Sequence, residues 1–345
     1  MASPRVSILI PAYNAQDTIG RAIESALGQT YDPIEVIVVN DGSTDGTAAV
    51  VEGYPQVRMI HQENRGPMPA RSTAAEAATG DLLALLDADD EFHPMKIALQ
   101  VEILRRAPRI SALFSAPCVI EGGTKYCSPH DVSGRIVFET FPDVLGGRKQ
   151  GDGWKEGSSP SVVMRRELIE NVGGFYRLGF SSGERDLWLR ALAKGHILGT
   201  LKLPLYNYYR SEGSMSSQLV AQLERRLKYM TVWSSDKEWN DFSVSREMLQ
   251  AAWITNMSRC VDRFVKYGDF ENMQRAWQLL KEHGKPSMKT RAVVTWPGAA
   301  RIYALLRNRM LHVYGARIYA RWAKEVNKRA EKIYDMVHWG DVEGL

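Results

Sequence analysis

The chain has 345 residues, of which 44% are hydrophobic and 24% are charged, so it can form one large domain with an appendage, or two domains. No apolar run approaches the ~18 residues that a spanning helix needs, and no charged-then-apolar leader precedes the first strand pattern, so we expect that the chain is not an integral membrane protein. Its three cysteines lack metal-ligand spacing and cannot all pair, so we expect a reducing compartment and a cytoplasmic protein. They are Cys118, Cys127 and Cys260.

The first eighty residues alternate between apolar strand patterns and helical patterns. The predicted strands are Val6–Ile10, Ile34–Val39 and Val57–Ile60, and the predicted helices are Ile19–Leu27 and Pro69–Thr79. This alternation predicts a parallel, doubly wound α/β sheet with right-handed crossovers. The loop 40–46 combines turn-forming residues with side chains that can bond a nucleotide, although an ordinary strand-to-helix turn capped by Asp41 or Thr44 has the same composition.

The most informative stretch is Leu82–Asp90, a five-residue apolar run that ends in three carboxylates. Its length and the turn residues around it favour a buried strand over a helix. If that strand is parallel, Asp87, Asp89 and Asp90 lie at the edge where open α/β sheets bind ligands, and carboxylate oxygens this close suit Mg²⁺ or Mn²⁺. A solvated acidic turn, or a helix N-cap at Asp90, is the open alternative.

The pattern becomes less regular after these acids. Ile110–Val119 is a further predicted strand. The next segment, Glu121–Ser161, is rich in Gly, Lys, Asp and Pro and is predicted to be a long loop that serves as a binding surface or lid. Order returns at Val162–Met164. A later helix carries Glu184 and Asp186 in its first turn, where the helix dipole favours ionised acids, and capping alone would explain one of the two.

Together these pieces resemble the family-two inverting glycosyltransferases, whose nucleotide-sugar-binding domain has the GT-A fold. The resemblance covers roughly Pro4 to Ser216 and rests on five motifs in the right order. The motifs lie at Ser7–Asn14, Val38–Asp45, Asn64–Arg71, Leu86–Asp90 and Gly183–Arg190. It implies a GT-A type, doubly wound, mostly parallel sheet in residues 1–216, followed by an α-helical, basic region in residues 217–345.

The resemblance also implies roles for individual residues. The implied donor-binding residues are Pro11, Tyr13 and Asp41 for the nucleobase and ribose, Arg71 for the diphosphate, and Asp87 for the ribose or sugar. Asp89 would ligate the Mn²⁺ or Mg²⁺ that bridges the diphosphate. Glu184, three residues before Leu187, matches the general base. Asp186 is a second candidate, because Gly183-Glu184 stands where the family usually has Glu-Asp.

The function implied by the resemblance is inverting transfer of a sugar from a nucleotide-diphospho-sugar, for which UDP is the family's commonest nucleotide, to a glycan or lipid-linked acceptor. Bacterial surface-glycan assembly is the expected setting. The chain lacks the Gln-x-x-Arg-Trp signature of processive relatives, so we expect one sugar per encounter. It also lacks the histidine that many relatives carry near Ser211 as a metal ligand. A catalytically degenerate nucleotide-sugar-binding protein is the alternative.

The C-terminal third is basic and helical in pattern. Residues 285–334 hold twelve Lys or Arg and two Glu, a net charge of +10, so the remainder of the chain carries −6. Gln222–Trp233 and Arg246–Tyr267 have the spacing of packing helices. Ala299–Val313 resembles an interfacial helix that could rest on an anionic bilayer at the inner face of the plasma membrane, and a basic solvated face is an equal alternative. No recognisable nucleic-acid-reading fold is present, so we expect no nucleic-acid partner.

Overall fold

A computed structural model of the chain describes residues 3–127, 133–139, 159–175 and 184–210, with five positions between 271 and 278. The strands of these residues are β1 Val6–Ala12, β2 Ile34–Asp41, β3 Val57–Gln62, β4 Leu82–Leu85, β5 Glu91–Phe92, β6 Ile110–Glu121, β7 Thr124–Cys127, β8 Ile136–Phe138, β9 Val163–Arg165 and β10 Ile197–Arg210. The helices are α1 Ile19–Leu27, α2 Thr47–Glu52, α3 Pro67–Ala77, α4 Lys96–Arg106, α5 Arg166–Val172 and α6 Arg185–Ala193.

A ten-stranded sheet runs through the described residues in the order β3-β2-β1-β4-β9-β6-β10-β5, with β7 beside β6 and β8 beside β10. β1 pairs in parallel with β2 and β4, β2 pairs in parallel with β3, and β6 pairs in parallel with β10. β9 is antiparallel to both of its neighbours, β4 and β6. Most of the paired residues lie in parallel strands, which confirms the predicted α/β sheet.

Helices cover both faces of this sheet. Ile8 and Ile10 of β1 pack into one hydrophobic core with residues of α1 and α4. Leu9, which lies between them in the strand, packs into a second core with residues of α3, α5 and α6. Because both faces of the central strands are buried, each strand needs an almost continuous apolar run, and Leu82–Leu86 is such a run.

The second half of the sheet differs from the sequence prediction. Glu121–Ser161, predicted to be a long loop, contains β7, β8 and a 3₁₀ turn at Ser159–Ser161. β10, the longest described strand at 14 residues, was not predicted. Pro204 lies in its middle, and proline argues against a central strand because it cannot donate to the ladder. The pairing of β10 with β6 shifts register on both sides of Pro204, which accommodates the ring.

The cysteine prediction is also corrected. β6 and β7 form an antiparallel pair in which Cys118 lies opposite Cys127, and the two residues form a disulfide. The expectation of a reducing compartment rested on the count of cysteines without a paired framework. Because two of the three cysteines form a disulfide, the cysteines no longer support the expectation of a reducing compartment.

Several predictions lie outside the described residues. They concern Gly183, the segment near Ser211, the boundary at residue 216, and the helices predicted at 222–233, 246–267 and 299–313. In the part of the chain that the structure describes, no helix is both long and apolar enough to cross a membrane.

The close approach of β1 to the start of β4 depends on Gly80. A Cβ at this position would lie 2.6 Å from Ser7 Oγ, 2.7 Å from Ser7 N and 2.8 Å from the Arg5 carbonyl oxygen. Two of these three atoms are backbone atoms, one in β1 and one in the residue before it, and they cannot move without disturbing the pairing of β1 with β4. We therefore expect Gly80→Ala to lower the free energy of unfolding by about 1–3 kcal/mol, measured by urea denaturation.

Gly20→Ala is the matched control. Gly20 lies in α1, and a Cβ there would meet the Tyr54 hydroxyl at 3.3 Å, the end of a side chain that can shift. Alanine favours a helix over glycine by up to about 1 kcal/mol, so this variant should be as stable as the wild type or slightly more stable. Equal stability of the two variants would contradict the close-approach argument.

Candidate active site

Most of the predicted site residues lie at one edge of the sheet. Pro11 belongs to the end of β1, Asp41 is the last residue of β2, and Asp87 follows β4 by two residues. The three strands are parallel and adjacent, so their carboxyl ends share the edge at which open α/β sheets bind ligands. Arg71 of α3 and Glu184, immediately before α6, complete the site.

Asp41 is a buried hydrogen-bond acceptor at the end of β2. Its Oδ1 accepts from Gln62 Nε2 at 2.6 Å and from the Arg65 backbone N–H at 3.0 Å, and its Oδ2 accepts from the Gly66 N–H at 2.8 Å. Gly66 has a φ of 91°, a value that favours glycine and brings its N–H to the carboxylate. Oδ2 keeps acceptor capacity for a further donor such as a base N–H.

Tyr13 offers an aromatic face beside this acid. Its side chain is 51% exposed, and it is the one large hydrophobic residue of the described chain that is exposed. The next residue, Asn14, ties the end of β1 to the loop after β2, because its Oδ1 accepts from the Thr44 backbone N–H at 2.8 Å. The loop that carries Tyr13 is therefore fixed beside the loop that follows Asp41.

Arg71 of α3 lies at the centre of the site, between two carboxylates from distant parts of the chain. Its Nη2 is 2.5 Å from Asp87 Oδ1, and its Nη1 is 2.6 Å from Glu184 Oε1. The Ser159 hydroxyl contacts both Arg71 Nη2 and Glu184 Oε1. Burial by itself would lower the pKa of Arg71, but the carboxylates of Glu184 and Asp87 raise the pKa, so the guanidinium remains charged.

Glu184 lies immediately before α6 and is largely buried. Burial raises its pKa to about 6; the Arg71 charge opposes this rise, the Asp87 charge adds to it, and the Ser159 hydrogen bond lowers it. The side chain makes no capping hydrogen bond to α6, so helix capping does not explain this acid. A carboxylate with a pKa close to neutrality suits a residue that must accept a proton and later release it.

Asp186 lies on α6 in a different environment. Its Oδ2 accepts from Arg190 Nε at 2.7 Å, and both side chains are almost fully buried. Arg190 also donates through Nη1 to the carbonyl oxygens of Val172 at 2.5 Å and Gly174 at 3.0 Å, which joins α6 to the end of α5. These contacts give Asp186 a structural task, whereas Glu184 is the acid that contacts Arg71.

Three acids at the end of β4 form a group that could hold a metal ion. One carboxylate oxygen from each of Asp87, Asp89 and Asp90 lies within 4.8 Å of the others. Asp90 is fully buried; its Oδ1 accepts from the Tyr209 N–H at 3.0 Å, and its Oδ2 has no hydrogen-bond partner among the residues that the structure describes. An unsatisfied buried carboxylate oxygen beside two more acids fits a hard divalent cation.

The raised pKa values of two of these acids agree with a site for a divalent cation. Asp89 is exposed, but the protein around it and the charge of Asp87 raise its pKa to about 6. Burial and the charges of Asp87 and Asp89 raise the pKa of Asp90 well above its usual value. Asp90 is not a helix N-cap, because α4 begins at Lys96 after Met95, so the capping alternative for this acid is wrong.

Sequence analysis missed several residues of the site. Arg21 of α1 donates through Nη2 to the Asp89 carbonyl oxygen at 2.9 Å, and its guanidinium carbon lies 3.7 Å from the centre of the Tyr209 ring. The Tyr209 hydroxyl in turn donates to Glu91 Oε2 at 3.0 Å. These contacts hold the acidic loop between α1 and β10. Arg21 gave no sequence signal, because a polar residue on the outer side of an amphipathic helix is the ordinary case.

The family model "Glycosyl transferase family 2" matches residues 7–173. The UDP-Glc:alpha-D-GlcNAc-diphosphoundecaprenol beta-1,3-glucosyltransferase WfaP of Escherichia coli is 31% identical over 225 residues, which are 64% of this chain and 83% of WfaP. Other curated relatives match over a shorter part. The uncharacterized glycosyltransferase YibD of Escherichia coli is 44% identical over 94 residues, which are 26% of this chain and 27% of YibD.

Two solved structures share the fold. The structure of residues 1–349 of S. aureus TarS in complex with UDP-GlcNAc has a TM-score of 0.60 at 17% identity and covers 87% of this chain and 89% of that one. The mannosyltransferase PcManGT of Pyrobaculum calidifontis, in complex with GDP-Man and Mn²⁺, has a TM-score of 0.55 at 18% identity and covers 94% of this chain and 89% of that one. The predicted GT-A fold is confirmed by these matches.

The acidic group of Asp87, Asp89 and Asp90 predicts a site that binds a metal ion in the absence of substrate. We expect Mn²⁺, followed through the electron paramagnetic resonance signal of the free ion, to bind the wild type and to bind Asp89→Asn at least about tenfold more weakly, because a charged ligand is lost. Glu52→Gln removes one exposed carboxylate at the end of α2 and should bind as the wild type does. Equal weakening in both variants would mean that Mn²⁺ responds only to net charge.

Proposed function

The chain belongs to glycosyltransferase family 2, and from that membership we propose that it transfers one sugar from a nucleotide-diphospho-sugar to an acceptor hydroxyl, with inversion at the anomeric carbon. The observation that supports this most directly is the placement of Arg71 between Asp87 and Glu184. It brings an acid from the edge of the sheet and an acid from a later helix to one point. A donor and an acceptor that react with each other must meet at such a point.

The residues around Arg71 divide the work of donor binding. The exposed Tyr13 ring can stack on a nucleobase, and Asp41 can accept from a base N–H. Arg71 supplies a permanent positive charge close to the departing diphosphate. When bound at Asp89 with Asp87 and Asp90, Mn²⁺ or Mg²⁺ would act as a Lewis acid toward the leaving diphosphate. We expect a UDP-sugar as donor, as in the name of WfaP and the TarS complex.

Glu184 is the proposed general base. Its contacts with Arg71 and Ser159 are both made by Oε1, so Oε2 is the oxygen that would accept the proton of the acceptor hydroxyl. The acceptor oxygen attacks the anomeric carbon from the side opposite the diphosphate, and one such displacement inverts the configuration. Asp186, paired with Arg190, is not needed for this step.

We expect Glu184→Gln to bind donor as the wild type does but to turn over about 10²–10⁴-fold more slowly, because glutamine cannot accept the proton. Donor binding is measured by the rise in melting temperature with UDP- and GDP-sugars in the presence of Mn²⁺ or Mg²⁺. Turnover is measured by nucleotide release with simple and lipid-linked acceptors. The raised pKa of Glu184 predicts that wild-type kcat/KM increases as the pH rises through about 6, where the base becomes ionised, and then levels off.

Glu170→Gln, which changes an exposed acid on α5, is the control and should leave turnover unchanged. Unaltered turnover in Glu184→Gln together with loss in Asp186→Asn would move the base to Asp186. A wild type that binds donors without releasing nucleotide under any condition would support the degenerate, binding-only protein instead.

The basic segment 285–334 supports a further part of the proposal, contact with an anionic membrane surface that presents a lipid-linked acceptor. The name of WfaP includes a diphosphoundecaprenol acceptor, which agrees with such a substrate. We expect the chain to sediment with liposomes that contain anionic lipid, and salt to release it. Neutral liposomes are the control, and charge reversal at Arg301, Arg307 and Arg309 should reduce binding. Sedimentation that ignores salt and lipid charge would contradict electrostatic contact.

A further inference from the structure

We propose that Ser159 is a positioning residue for Glu184, and that a buried polar cluster beneath Ser159 fixes the turn that carries it. The inference rests on the proposed function, because it concerns the base of the same reaction. Ser159 begins the 3₁₀ turn that leads into β9, and its side chain is buried. Neither the acidic group of Asp87, Asp89 and Asp90 nor the proposed donor contacts require a hydroxyl group at position 159.

The chemistry of the three groups fixes the direction of their hydrogen bonds. Arg71 has donors only, so Nη2 must donate to the Ser159 oxygen. Glu184, when ionised, has acceptors only, so the Ser159 hydroxyl must donate to Oε1. The serine hydroxyl therefore joins the guanidinium to the carboxylate in a single orientation.

This arrangement holds Glu184, the proposed base, through Oε1 and leaves Oε2 to accept a proton. A glutamate side chain has three rotatable bonds and loses rotamer freedom when it is fixed in one geometry. Arg71 and Ser159 reach Oε1 from α3 and from the 3₁₀ turn, and together they set the plane of the carboxylate. Oε2 is then held in the direction of the acceptor, and proton transfer depends on such alignment.

Buried polar side chains fix the 3₁₀ turn Ser159–Ser161 in place. The carbonyl oxygen of Ser161 accepts from Lys96 Nζ at 3.1 Å, from Gln100 Nε2 at 3.0 Å and from Ser115 Oγ at 3.2 Å. We call the side chains of Lys96, Gln100 and Ser115 the Ser161 anchor. Lys96 and Gln100 are fully buried and hydrogen-bonded to each other. Burying an amine is costly, and burial lowers the pKa of Lys96 well below its usual value. Three donors on one carbonyl oxygen fix the backbone two residues after Ser159.

The charges that face Glu184 are accounted for on each neighbouring element. Arg71 faces it from α3, and Asp87 acts on it from the end of β4. On its own helix, Asp186 is paired with Arg190. Against this background the Ser159 hydrogen bond favours the ionised base, so its loss has an effect on the pH dependence that a loss of packing does not have.

The test compares Ser159→Ala with Ser159→Thr, which keeps the hydroxyl. We expect Ser159→Ala to lower kcat by about tenfold to hundredfold, less than Glu184→Gln does, with donor KM within about twofold of the wild-type value. We also expect the acid limb of its pH profile to move to higher pH. Ser159→Thr should recover most of kcat and return the acid limb to its wild-type position.

Ser111→Ala is the matched control. Ser111 is also buried, and its alanine variant loses one hydrogen bond, the one between Ser111 Oγ and His196 Nδ1 at 2.9 Å, but Ser111 contacts neither Arg71 nor Glu184. Its kcat and pH profile should equal those of the wild type. Thermal unfolding of all three variants checks that each is folded.

The outcomes separate this proposal from the function on which it rests. If Glu184→Gln is inactive and Ser159→Ala has wild-type kcat and pH profile, the positioning role is wrong and the function stands. A lower kcat in Ser159→Ala without a shifted acid limb, and without rescue by threonine, also overturns it, because that result indicates packing alone. If Glu184→Gln turns over as the wild type does, Glu184 is not the base and the positioning role of Ser159 is wrong with it, whereas sugar transfer itself stands. In the Glu184→Gln background Ser159→Ala should have no further effect.

Discussion

The buried guanidinium of Arg71 is the interaction on which the site depends. A charged group in the interior is stable only when it is paired and hydrogen-bonded, and Arg71 meets this requirement with Asp87 from the end of β4 and Glu184 from the start of α6. Without either carboxylate the buried guanidinium would be less well compensated, so each carboxylate helps to hold the other two groups in place. Three elements that are far apart in the chain are joined at this one side chain.

Burial and an excess of negative charge around Arg71 together raise the pKa values of several acids there. The carboxyl groups of the site are Asp87, Asp89, Asp90 and Glu184, and the guanidinium groups beside them are Arg71 and Arg21. With every group ionised, this set has two negative charges in excess. Protonation can remove the excess, as the raised pKa values of Asp89, Asp90 and Glu184 indicate, and a divalent cation can remove it as well. A divalent cation bound there would therefore keep Asp89 and Asp90 ionised at a lower pH.

The parts of the fold that could be predicted from sequence are those with a local periodic signal. The elements from β1 to α3 were predicted except for the short helix α2, and so was the strand that ends at the acidic loop, because apolar runs and turn residues mark these elements. β10 was missed because Pro204 interrupts a pattern that only its pairing with β6 accommodates. Ser159 was missed because its partners are Arg71 and Glu184, 88 and 25 residues away, and a serine in a polar stretch has no local feature that shows such contacts.

The choice between Glu184 and Asp186 as the proposed base depends on packing and not on spacing. Two residues separated by one along a helix point in directions about 200° apart, so a sequence with both acids in the first turn leaves the choice open. The contacts of Arg190 favour Glu184. One turn after Asp186, Arg190 pairs with that acid and donates to the carbonyl oxygens of Val172, the last residue of α5, and of Gly174, two residues later. The same pairing that makes Asp186 structural fixes α6 against α5 and so presents Glu184, the acid without a partner in its own helix, to Arg71 and Ser159.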